Sequence, residues 1–84
     1  MNFTNEERAA AAERVARIAV NAFLAHDAVE VADAELRAAR REKPSKAQRA
    51  RVREAQRAFE RAAFKHLDCV ALHREALAEL NAMS

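Results

Sequence analysis

Apolar residues recur along this chain in alternating steps of four and three, and the pattern appears twice. In the first half it takes in Ala11, Val15, Ile18, Ala22, Ala25, Val29, Ala32, Leu36 and Ala39. In the second half it takes in Val52, Ala55, Phe59, Ala62, His66, Cys69, His73, Ala76 and Leu80. Steps averaging 3.5 residues keep side chains on one face of an α-helix, and a run this long is a heptad a/d seam of the coiled-coil kind. β-Branched residues are sparse and scattered, whereas alanine and arginine, both strong helix formers, dominate.

Between the two runs lies Pro44, the single proline of a chain with no glycine. Proline lacks the N–H a helix needs and pushes the preceding residue out of the α region, so the first helix is expected to stop at Lys43. Thr4-Asn5-Glu6-Glu7 and Ser45-Lys46-Ala47-Gln48 both have the spacing of a capping box, which fixes where each helix starts. The prediction is an all-α antiparallel two-helix hairpin, with helices over about 5–43 and 46–82 and a turn at 43–45. Each arm is ~55 Å long at ~1.5 Å per residue. The 84 residues form one domain. Folding at Pro44 sets Leu36 near Val52, Val29 near Phe59, Ile18 near Val70 and Val15 near His73. It also brings His26 close to the level of the histidines of the second helix.

The pattern contains more apolar surface than one seam uses. Val20, Leu24 and Val31 make a second stripe well round the first helix, with Phe23 beside it; Phe64, Ala71 and Leu72 lie off the main face of the second. Burying one such Val, Leu or Phe is worth about 1.5–3 kcal/mol, and an apolar stripe left in water promotes association. A hairpin with an alanine-heavy seam cannot cover these residues itself. The expected assembly is therefore a four-helix bundle formed as a homodimer, with Val20, Phe23, Leu24, Val31 and Phe64 at the interface.

Charge sharpens this picture. Residues 1–36 carry a net −4, residues 37–61 a net +7 and residues 62–84 a net −1, giving +2 overall. The tip of the hairpin is basic and its open end acidic. Arg37, Arg40, Arg41 and Lys43 suit the negative end of the first helix dipole, and Glu13–Arg17 and Asp33–Arg37 are ordered i,i+4 pairs. The second helix breaks both rules. Lys46, Arg49, Arg51 and Arg53 crowd its positive end, and Arg49, Arg53, Arg57, Arg61 and Lys65 form a ladder of like charge at i,i+4. Each such contact costs a few tenths of a kcal/mol. The ladder is thus a candidate partner-binding ridge for the acidic end of a second copy, an acidic protein surface or nucleic acid. The basic segment has no tyrosine or tryptophan for base stacking, and it lacks the pattern of any helix-turn-helix, zinc finger or basic zipper.

Candidate chemistry is thin. Without glycine there is no P-loop or glycine-rich phosphate cradle. His66, Cys69 and His73 share a face at i, i+3 and i+7, and imidazole and thiolate are zinc ligands. Paired Cys motifs, His-Glu-x-x-His and inward Glu-x-x-His pairs are all missing. The seams offer no inward acids, and Cys69 has neither an orienting third group nor an oxyanion loop. No catalysis and no cofactor are expected. The lone cysteine suits a reducing compartment, and the opening residues lack the basic region and apolar core of a signal peptide. The longest strongly apolar stretch, residues 18–25, is far short of a membrane span. A cytoplasmic, non-membrane protein is expected.

In length and central turn the hairpin loosely resembles the small secreted helical-hairpin proteins that turn on Trp-x-Gly, but this chain has neither tryptophan nor glycine. In style it also resembles the small accessory proteins of phages and mobile elements that inhibit or redirect a host protein. The functional expectation is a non-enzymatic helical protein that binds another protein as adaptor or inhibitor. The alternatives are nucleic-acid binding through the basic tip and a metal-binding bundle at His66, Cys69 and His73.

Overall fold

In a computed structural model, which describes residues 2–84, the chain is two long helices and a short turn. Helix α1 runs Asn5–Arg41 and α2 runs Lys46–Ala82, with 37 residues in each. They lie antiparallel, with Arg14 reaching Glu79 at the open end, His26 meeting His66 midway and Glu42 meeting Arg51 at the tip. The molecule measures 65 × 14 × 12 Å, a rod two helices wide. No helix is long and apolar enough to cross a membrane.

The start of α1 forms as its sequence dictates. Thr4 Oγ1 accepts from the Glu7 N–H at 3.0 Å and the Glu7 carboxylate accepts from the Thr4 N–H at 3.3 Å, a complete capping box. The start of α2 differs from expectation. Ser45 Oγ accepts from the Gln48 N–H at 2.9 Å, but the Gln48 carboxamide does not complete a box. It crosses the turn instead and donates to the Ala39 carbonyl at 3.0 Å. Ala39 lies in the last turn of α1, where carbonyls have no i+4 helical partner, so Gln48 helps satisfy one helix end from the other. The glutamine is buried to 8% exposure, unusual for its type, because it sits over this junction.

Helix α1 also ends earlier than expected, at Arg41 rather than Lys43. Glu42 is already extended, with φ −66° and ψ 155°. Pro44 accounts for Lys43 leaving the helix. Glu42 leaves too: its carboxylate turns across to accept from Arg51 Nε at 2.7 Å, while its N–H closes back on the Ala39 carbonyl at 3.3 Å. The turn needs no left-handed residue, and no described residue has positive φ. That is how a chain without glycine reverses direction.

All nine seam positions named on each helix are screened from solvent, wholly or in part. Ala25, Ala32, Leu36, Ala39 and Ala76 form the buried apolar set, and no large side chain is fully enclosed. Side-chain contacts at mid-rod run ahead of the levels expected for a fold centred on Pro44. His26 meets His66, about one turn further along α2 than its expected partner Ala62. Side chains lean toward the N-terminus of their own helix, so in an antiparallel pair each reaches past its own level, which shifts contacts in this direction.

Replacing Gln48 with Ala leaves the Ala39 carbonyl without its side-chain donor. Ala39 keeps the Glu42 N–H, so the loss is one hydrogen bond, about 0.5–1.5 kcal/mol, which for a domain this small lowers Tm by roughly 4–8 °C per kcal/mol. Circular-dichroism melts at matched protein concentration check this; an unchanged Tm would show that the clasp contributes nothing.

Candidate interaction surfaces

The basic ridge is as open as its sequence implies. Arg49, Arg53, Arg57, Arg61 and Lys65 are all exposed, and among the described residues none of them makes an ion pair. The cations that do find partners lie elsewhere. Arg37 pairs with Asp33 at 3.0 Å, as i,i+4 spacing predicts. Glu13 and Arg17 form no such pair, and neighbouring Arg14 crosses to Glu79 at 3.0 Å instead. At the tip, Arg40 donates to the Gln56 side-chain oxygen at 3.1 Å, and Gln56 passes a bond on to Glu60 at 3.3 Å. Arg51 is the one cation near the start of α2 whose charge is met, by Glu42. The first turn of α2 holds no acid. The ladder therefore runs without an ion pair from the start of α2 to Lys65, which borders the helix–helix groove.

The second apolar stripe is equally exposed. Val20, Leu24 and Val31 are each 58% exposed, Phe23 67% and Phe64 68%. At ~100° per residue the α1 stripe centres roughly 140° from the seam, toward the back of the helix, with Leu24 at the edge that borders α2. Leu67, 60% exposed, belongs with Phe64 and was not singled out from the sequence. The i, i+3, i+7 spacing of Phe64, Leu67 and Ala71 is the signal that marks this outward patch. Small side chains in the seam leave grooves along the hairpin flanks. One of about 350 Å³ is lined by Leu24, Ala25, Ala28, Ala62, Lys65 and Cys69.

The alternative metal set does not assemble. His66, Cys69 and His73 are half-buried in the seam, but their donor atoms do not gather. Positions i and i+7 are two turns, ~10.5 Å, apart along a helix axis, too far for one ion with ~2 Å bonds. Cys69 lines the flank groove as a free thiol. Among the described residues the donors that do converge are His26, Asp27 and Glu30, all exposed on α1, with ligand atoms within 4.8 Å of one another. The His26 and His66 rings meet edge to face across the helices, with centroids 5.4 Å apart and planes at 65°.

Comparison with known protein families, curated proteins and solved structures returns no match.

Because the ladder makes no ion pair, reversing a rung that has no acid at i±3 should stabilise the monomeric hairpin. Arg53→Glu turns two repulsive i,i+4 contacts, with Arg49 and Arg57, into attractive ones, each worth about 0.2–0.5 kcal/mol, and Ala50 and Gln56 at i−3 and i+3 add no opposing charge. Tm should rise by a few degrees at low salt and by less at high salt. A fall in Tm would show that the ridge charges are balanced within the chain.

Proposed function

We propose that this chain is a non-enzymatic binding protein that pairs with a second copy through the back of α1 and presents its basic ridge to an acidic surface of another protein. The observation that carries the pairing is surface area. A compact 9.4 kDa monomer exposes about 5,000 Å², whereas this one exposes 6506 Å², an excess of about 1,500 Å². Two copies each covering that excess bury about 3,000 Å² in total, within the ~2,000–5,000 Å² range of permanent dimers. The excess is also of the right kind, since the exposed large apolar residues concentrate near the middle of the rod.

Charge favours a second copy as the occupant of the stripe. Leu24 lies next to the midpoint of α1. A twofold axis there lays Glu6 and Glu7 in the first turn of one α1 along Arg40 and Arg41 in the last turn of the other, and the two hairpins make a four-helix homodimer. This arrangement uses the cations that end α1 but leaves the α2 ladder free. Five like charges at i,i+4 fit an acidic helix or strip on a partner, the recognition an adaptor or inhibitor needs.

The dimer is read by light scattering at micromolar concentration. The wild type should give twice the chain mass, and Leu24→Glu should give the chain mass with helicity retained. A monomeric wild type would overturn the pairing.

The ridge is read by fluorescence anisotropy with an acidic helical peptide and, in parallel, a short DNA duplex. Binding of the peptide, weakened at least about tenfold by Arg53→Glu with Arg57→Glu, supports the reading; this equals about 1.4 kcal/mol or more. Preference for the duplex, with affinity falling steeply as salt rises, would replace it with nucleic-acid binding.

A further inference from the structure

We propose that His26 and Glu30 of α1 and His66 of α2 form a transition-metal site that clips the two helices together halfway along the rod. Asp27 is a second carboxylate within reach. The site takes its donors from both helices and differs from the single-face set at His66, Cys69 and His73.

Three observations support it. First, His26, Asp27 and Glu30 already hold their ligand atoms within 4.8 Å of one another, with His26 Nδ1 3.9 Å from Glu30 Oε1. Second, two imidazoles bound to one tetrahedral ion at ~2.0–2.1 Å have ring centroids about 5 Å apart, and the His26 and His66 rings are 5.4 Å apart without an ion. The ring torsion of histidine is soft, so turning the His66 ring to aim a nitrogen at that point requires little strain. Third, His66 occupies a seam position yet makes no hydrogen bond among the described residues. A half-buried imidazole without a protein partner is a donor available for a ligand.

The donor chemistry selects the ion. Two imidazoles with one or two carboxylates suit Zn²⁺, Ni²⁺ or Cu²⁺ rather than Ca²⁺ or Mg²⁺, which prefer cages of oxygen. His26 and Glu30 are exposed, so an ion enters without opening the hairpin and keeps a water in any remaining position. Because the donors span both helices, such an ion binds the folded hairpin and not either helix alone. It stabilises the fold where the seam consists mostly of small side chains, Ala22, Ala25, Ala62 and Cys69, around a histidine.

The test uses untagged full-length protein and Zn²⁺ alone, with calorimetric titration and thermal melts. We expect one ion per chain. With free Zn²⁺ about a hundredfold above Kd, Tm should rise by roughly 10–20 °C. His66→Gln, which keeps a polar side chain at the seam, should weaken binding at least about tenfold and abolish the Tm shift. His26→Ala should do the same. Cys69→Ser and His73→Ala should leave both readings unchanged. Three results overturn the proposal: no binding up to millimolar Zn²⁺; binding that survives His66→Gln, which marks surface chelation by α1 alone; or binding lost with Cys69 or His73, which places the ion elsewhere. None of these outcomes depends on whether the dimer or the basic ridge is as proposed above.

Discussion

Two helices share only one face. However well that face packs, each helix leaves most of its circumference in water, and no third layer encloses a core. In this chain the constraint is acute, because most of the buried apolar set is alanine, with Leu36 the one large contributor. Alanine lets helices approach but adds little apolar area per residue. The hairpin therefore rests on a thin seam over a length of 65 Å. Its exposed valines, leucines and phenylalanines follow from the same geometry: a single seam has no place for them.

The ends of the rod compensate differently from its middle. At the tip, Gln48 caps the end of α1 from the start of α2, and Glu42 meets Arg51 across the turn. At the open end Arg14 meets Glu79. These polar links tie the two helices at both ends of the rod, although exposed ion pairs of this sort contribute only about 0–1 kcal/mol each. The middle has no such link. It holds instead the exposed stripe around Leu24 and the histidine pair, and those are the features that look outward for something to bind. Meanwhile the ladder on α2 opposes both its helix dipole and its own neighbours. A sequence selected for the stability of one hairpin alone has no reason to keep it.

Much of this was legible in advance because it is local. The seams, the Thr4 cap, the Asp33–Arg37 pair and the exposure of Val20, Phe23, Leu24, Val31 and Phe64 all follow from spacing along one helix. What was not legible depends on what stands opposite. The spacing Ser45-x-x-Gln48 reads as a local box, yet a free acceptor on the other helix took the glutamine. Glu13 had a cation four residues on, but its neighbour Arg14 found an acid 65 residues away. His66, Cys69 and His73 share a face by periodicity, and periodicity places them too far apart to share an ion.

The chain by itself determined that there would be two helices, where they start, which residues face inward and that the tip would be basic. A glycine-free sequence with one proline and two sustained heptad runs leaves few other folds open. Only the tertiary structure decided how the helices align, where α1 ends and which polar groups meet across them. A helix repeats every turn, so the seam pattern is satisfied at several registers one turn apart. The choice among them is made by interactions between the helices, such as Gln48 on Ala39, Glu42 with Arg51 and His26 against His66, and none of these is encoded within a single helix.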